Sequence, residues 1–237
     1  MARWEKHGTT SNLTLSFLHY FASVFHFFGG FIYQLKSLVE VVEYRIWLKK
    51  NFGKIPLYSN KKKLIDRVLE EVNHSTFAPG GITFFEFGVA FGETTKYIVQ
   101  NLEGPYQYHG FDTFEGLPKA WRRLPKGAIT NYGKLPAIKS ENLFFHKGLV
   151  QETIQNVDFK VENRKCFIFD FDLYAPTLFA FRYIQKEIKV SDIVYFDEAF
   201  DSDERVIIEN YFLDEFEYSV IGASPFGLAF KIMGFKV

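Results

Sequence analysis

From residue 82 to residue 233, short apolar runs rich in β-formers alternate with helical stretches. That alternation leaves few architectures open. The runs are Ile82–Phe87, Tyr106–Phe111, Phe144–His146, Lys165–Phe169 and Asp192–Phe196. Helical patterns at Thr94–Leu102, 149–157 and 176–189 lie between them, and Glu217–Ile221 with Leu228–Met233 reads as a closing antiparallel hairpin. Strand–helix repetition of this kind builds an α/β fold, a mostly parallel sheet covered on both faces by helices. Upstream, residues 36–52 read as a mixed-charge helix that Asn51-Phe52-Gly53 ends, and Lys61–Val72 as an amphipathic helix. The Lys61-Lys62-Lys63 run at its start reads as a solvated helix end. The expected organisation is a helical extension over 1–58 and the sheet domain over 59–237.

Composition removes whole classes of function. With 28 basic and 28 acidic residues the formal charge is zero, so the chain is no broadly basic nucleic-acid binder. The single cysteine, Cys166, excludes an internal disulfide framework and a thiolate-rich zinc site, and it reads as a small core residue. The expected setting is the cytoplasm. Aromatic side chains at 19% imply a core and pockets lined by rings.

The amino terminus qualifies the soluble reading. No residue from Gly8 to Gln34 carries a full charge, yet Ser, Thr, His and the Gly29-Gly30 pair dilute the apolar run. Its large residues, Phe17, Phe21, Val24, Phe28, Leu35 and Val42 among them, recur every three or four positions, which describes one stripe of a helix. Packing on the main domain or on a second copy in a homo-oligomer fits this better than peripheral docking on a membrane surface. Docking in turn fits better than a span.

Residues 114–143 hold three glycines and three prolines and little periodicity. So long a segment in a compact domain reads as a lid or binding loop, with a plain surface loop as the alternative. Trp121-Arg122-Arg123 makes an aromatic and basic tip for it.

The first strand ends in Phe84-Phe85-Glu86-Phe87-Gly88-Val89-Ala90-Phe91-Gly92-Glu93-Thr94. The dinucleotide fingerprint G-x-G-x-x-G is absent, which weakens a nicotinamide or flavin reading. Glu86, Gly88 and Gly92 as E-x-G-x-x-x-G instead resemble the first motif of class I S-adenosylmethionine methyltransferases, where the glycines pass beneath the amino-acid part of the cofactor. Asp112, ending the second strand, stands where an acid accepts the ribose hydroxyls. Further motifs, Gly110-Phe111-Asp112-Thr113-Phe114-Glu115-Gly116-Leu117-Pro118, Lys147-Gly148-Leu149-Val150-Gln151-Glu152-Thr153 and Asp170-Phe171-Asp172-Leu173-Tyr174-Ala175-Pro176-Thr177, resemble the macrocin O-methyltransferase-related family. The resemblance covers about residues 60–237. It implies a Rossmann-like three-layer sandwich with a seven-stranded sheet, the last strand antiparallel, and O-methylation of sugar hydroxyls, often with magnesium. It also implies a cofactor site of Glu86, Phe87, Gly88, Val89, Gly92, Thr94, Asp112, Thr113 and Asp170.

Asp170, Asp172, Asp197 and Glu198 end the fourth and fifth strands, so they open into one crevice. Four carboxylates repel each other unless a cation or protons hold them, and an all-oxygen site suits magnesium over zinc. A metal bound to a sugar hydroxyl would lower its pKa, and a nearby carboxylate would take the proton. The resemblance assigns Asp170, Asp197 and Glu198 as metal ligands and Asp172 as the base. The better-known sugar methylases carry two aspartates where this chain has Asp197-Glu198, which leaves metal identity and metal dependence open. Helix capping or cofactor contact is the alternative for any one of these acids. His109 reads as structural, and His146 either lines the adenine region or acts as an auxiliary base. The expected function is methyl transfer from S-adenosylmethionine to a small-molecule hydroxyl, a saccharide among the acceptors. A non-catalytic, membrane-peripheral binding protein that kept the fold is the other class.

Overall fold

The computed structural model describes residues 29–73 and 81–236. The chain divides into two units, Met1–Arg45 and Ile46–Val237. Helix α1 is Gly29–Phe52, longer than the 36–52 read from the sequence. In the first unit Leu35, Leu38, Val39 and Val42 of this helix are exposed. The rest of the amino-terminal stripe lies outside the described residues. No helix among the described residues is long and apolar enough to cross a membrane.

In the second unit the last turns of α1 are pinned by side chains. Trp47 Nε1 donates to the Glu209 carboxylate, and the Phe52 ring meets Tyr218 and Phe230 edge-on, at 5.9 and 5.6 Å. Helix α2, Lys61–Asn73, starts where Asn60 Oδ1 accepts the Lys63 N–H at 2.9 Å, and it buries Leu64, Ile65, Val68, Leu69 and Val72. The strands that follow are β1 (Ile82–Phe87), β2 (Tyr106–Asp112), β3 (Leu143–Lys147), β4 (Arg164–Phe169), β5 (Ile193–Phe196), β6 (Phe216–Ala223) and β7 (Leu228–Phe235). They form one seven-stranded sheet in the order β3-β2-β1-β4-β5-β7-β6. Pairings are parallel from β3 through β5, and β7 runs antiparallel to both β5 and β6. The connecting helices are α3 (Glu93–Asn101), α4 (Val150–Thr153), α5 (Tyr174–Ile184) and α6 (Ser202–Ile207).

The abundance of phenylalanine has a structural use. Parallel strands repeat at about 4.8 Å, so residues in one row across the sheet can stack their rings. One row runs His146, Phe111, Phe87, Phe169, Phe196 across β3, β2, β1, β4 and β5, with successive ring centroids 4.6, 5.1, 5.2 and 5.1 Å apart. Each such pair adds roughly 0.5–1.5 kcal/mol beyond area burial. A second cluster holds Phe84, Tyr108, Cys166, Ile168 and Tyr195 with the buried residues of α2 and with Ile98 of α3. Cys166 is therefore a core residue, its thiol pushed well up by burial.

The helical stretch between β5 and β6, α6 with the turns that follow it to Glu215, has no counterpart in the sequence reading. After α6 the backbone makes a π-helical turn at Ile208–Phe212, which carries Phe212 against Phe196 and Phe230, at 5.8 and 4.6 Å. The extra residue per turn shifts the apolar spacing off the 3.6-residue period, so periodicity alone passes over it.

Candidate functional site

The carboxyl ends of β1, β2, β3 and β4 open into a cavity of about 440 Å³, within the range of small-molecule sites. Gly88, Asp112, Thr113, Asp170 and Asp172, expected from the sequence, line it. Leu117, Ile129, Leu149, Val150 and Leu173 add apolar walls; the sequence reading quoted four of them within its motifs but assigned none to the site. Of the other expected residues, Glu86, Phe87, Val89, Gly92, Thr94, Asp197 and Glu198 lie outside this lining.

The turn after β1 shows why the glycines are needed. Gly88 sits at φ +101, and a Cβ there would stand 2.0 Å from the Asp170 carbonyl oxygen. The close approach of the β1 and β4 ends therefore demands this glycine. Gly92 caps α3 at φ +76, and a Cβ there would meet the Pro136 ring at 2.7 Å, so it makes room for the loop. Asp112 holds the turn. Its Oδ2 accepts the Val89 and Ala90 N–H groups, both at 2.8 Å, and its Oδ1 accepts the Phe114 N–H at 2.7 Å. Oδ1 keeps one further acceptor position, which suits a hydroxyl.

Glu86 is fully buried beneath this turn. Its Oε2 accepts from the Thr95 hydroxyl and from Tyr108 OH, the latter at 2.9 Å, and burial pushes its carboxyl up to about 7. Its Oε1 is buried without a partner. Thr95, which the sequence reading did not name, makes the contact with Glu86, and Thr94, expected in the cofactor site, is half-buried.

The ends of β4 and β5 hold the acids, together with a cation the sequence reading had sent into solvent. Lys61 Nζ donates to Asp170 Oδ2 at 2.9 Å and to Asp197 Oδ2 at 2.7 Å. Burial alone would lower its pKa, but the charges and hydrogen bonds of the two aspartates outweigh this and raise it well above 10.5. The helix start is thus not uniformly solvated: Lys61 is committed, Lys62 lies over the Tyr97 ring at 4.8 Å, and Lys63 is exposed. Asp197 Oδ1 accepts from Tyr195 OH at 2.5 Å. Burial, then the charges of Asp197, Asp172 and Asp170, push Glu198 up to about 10. Glu204, fully buried, accepts the Glu198 N–H at 2.9 Å and is also pushed well up by burial. Asp172 occupies the left-handed region at φ +61, a strain of roughly 1–3 kcal/mol for a residue with a side chain. Burial, then the Asp197 charge, raises it to about 7.

A divalent metal does not fit these residues as they stand. Both Asp197 oxygens already accept a hydrogen bond, and Lys61 places an ammonium against Asp170 and Asp197. Among the described residues no group of three or more His, Cys, Asp or Glu side chains could hold an ion. The expected ligand set of Asp170, Asp197 and Glu198 finds no support among the described residues, where Lys61 stands between Asp170 and Asp197.

The 114–143 segment is a loop with order of its own. Leu117 and Ala128 pair through their backbones, Trp121 and Leu124 close a small bridge, and Gly116, Leu117, Pro118, Lys119 and Ile129 face the cavity. Its tip does not cover the cavity: Arg122 bonds Asp201 Oδ2 at 2.9 Å and lies 4.8 Å over the Phe200 ring. His109 and His146 pair with each other, Nδ1 to Nε2 at 3.0 Å, and neither lines the cavity. Burial lowers His109 to about 4 and lowers His146 in the same direction.

Strand order, the antiparallel β7 and a crevice at the β1 and β4 ends together define the Rossmann-like fold of class I S-adenosylmethionine-dependent methyltransferases. Among solved structures the chain is similar to CalS11, a calicheamicin methyltransferase, at 20% identity and a TM-score of 0.53, over 72% of this chain and 76% of that one. It is also similar to apo CalS11, described as a TDP-rhamnose 3'-O-methyltransferase, at 20% identity and a TM-score of 0.50, over 72% and 79% of the two chains. No protein-family model and no curated protein matches the chain by sequence. The likeness establishes the fold and leaves the macrocin-related branch as a resemblance.

Proposed function

We propose that the protein is an S-adenosylmethionine-dependent O-methyltransferase whose acceptor is a hydroxyl of a small molecule, with sugar rings the first class to test. The observation that carries this reading is one cavity joining the Gly88 turn and Asp112 to Asp170 and Asp172. Its chemistry matches the cofactor piece by piece. Apolar walls from Leu117, Leu149 and Val150 suit a purine, Asp112 Oδ1 suits the ribose, and the acidic end suits a sulfonium and an ammonium.

Bound S-adenosylmethionine would supply an electrophilic methyl on a positively charged sulfur. An acceptor hydroxyl attacking that methyl would release the C–S electron pair to sulfur, and Asp172 would be the group to take the hydroxyl proton. A carboxylate that titrates near 7 is poised for that transfer at neutral pH. Asp170 and Asp197, held by Lys61, set the negative wall behind the reacting centre.

The experiment is transfer of labelled methyl from S-adenosylmethionine to a panel of nucleotide sugars, TDP-rhamnose among them because it is named for CalS11. Label in a methyl ether supports the reading. Absence of both transfer and cofactor binding would overturn it.

A further inference from the structure

We propose that Lys61 is the resident cation of the carboxylate site, seated between Asp170 and Asp197 where a divalent ion would otherwise be drawn. The geometry is that of a filled site. One ammonium touches an oxygen of each aspartate, at 2.9 and 2.7 Å, and the partners come from three separate elements, the start of α2 and the ends of β4 and β5. Side-chain exposure falls from 35% at Lys61 to 9% at Asp197, so the contact reaches inward from the surface. The second Asp197 oxygen accepts from Tyr195 OH at 2.5 Å, so an incoming ion would meet a carboxylate that is already hydrogen-bonded at both oxygens.

An ion entering here would have to expel a tethered cation from two charge-assisted hydrogen bonds. Lys61 is held at its post by the fold of α2, so it competes as a permanent neighbour and not at the concentration of a free ligand. Neutralising the lysine should therefore expose two inward-facing carboxylates with no positive partner, the arrangement that favours a hard divalent cation. The prediction concerns this chain's own charges. It does not depend on which reaction the cavity supports.

Manganese tests this as a spin-visible substitute for magnesium, by loss of its free-ion resonance on titration into the full-length chain. The parent should take up no Mn²⁺ at this site at millimolar concentration. Lys61→Met, which keeps the stem and removes the charge, should gain affinity by at least about tenfold, and adding Asp170→Asn should remove the gain. Lys62→Met serves as the control and should behave as the parent. Mn²⁺ uptake by the parent that Asp170→Asn or Asp197→Asn abolishes would overturn the proposal, and that result needs no lysine variant to fold. A folded Lys61→Met chain that gains nothing would overturn it as well. Because the titration reads no turnover, it fails or succeeds apart from the methyltransferase reading.

Discussion

The two ends of the crevice bury carboxylates by opposite means. At the β1–β2 end, Asp112 is satisfied by backbone N–H groups of Val89, Ala90 and Phe114, all within the turns that the strand ends create. At the β4–β5 end the acids are satisfied by a side chain from far away: Lys61 lies 109 residues before Asp170 and 136 before Asp197. Backbone donors are rigid and uncharged, so they fix a loop and leave an acceptor position open. A lysine brings charge, which sets what may enter and which neighbour ionises. The first end is built to shape a ligand site, the second to control charge.

The largest effect should come from the charged end. Asp172→Asn keeps the shape but not the basicity, and it should lower turnover by about 10²–10⁴-fold with cofactor affinity nearly unchanged. In the parent, turnover should rise as pH climbs through about 7, because only the ionised Asp172 accepts a proton. A flat pH profile, or full turnover in the variant, would remove Asp172 from the chemistry. At the other end Asp112→Ala leaves three N–H groups without their acceptor and takes away the ribose contact. Cofactor affinity should fall by about ten- to hundredfold, read by calorimetry, with some loss of thermal stability.

A third response to burial, neutrality without a charged partner, belongs to the His109–His146 pair. With His109 at about 4 in the folded chain against 6.5 unfolded, the unfolded state takes a proton between these values that the folded state refuses. Stability should therefore be complete above pH 6.5 and decline as pH falls from 6.5 toward 4, in urea titrations at stepped pH. His109→Phe should flatten part of that decline, the ring being one that stacks on Phe85 and Phe144. The smallest effect is at the acids again: chelator should leave methyl transfer by the parent unchanged, since Lys61 and not a metal balances Asp170 and Asp197. Loss of activity in chelator would erase the contrast between the two ends.

The same contrast explains what the sequence could tell. β1 was legible to the residue, because a six-residue apolar run ending in glycine has few other readings. Asp112 and Gly88 were legible as site positions, although the need for Gly88 turned out to be the Asp170 backbone. Sequence reasoning also recognised that the acids at the β4–β5 end required a cation or protons. It could not see Lys61 as the cation, because a lysine triplet at a helix start looks the same whether solvated or turned inward. Nor did it mark Thr95, since the register of the first turn of α3 decides which hydroxyl meets Glu86. The π-helical turn at Ile208–Phe212 broke the only signal that periodicity offers.

The central claim is that the cavity between the Gly88 turn and Asp172 is an S-adenosylmethionine site, and isothermal titration of the full-length chain with S-adenosylmethionine tests it most directly. The account predicts one saturable site of micromolar affinity, weakened by Asp112→Ala and little altered by Asp172→Asn. No heat of binding at millimolar cofactor, or equal affinity in parent and Asp112→Ala, would contradict it.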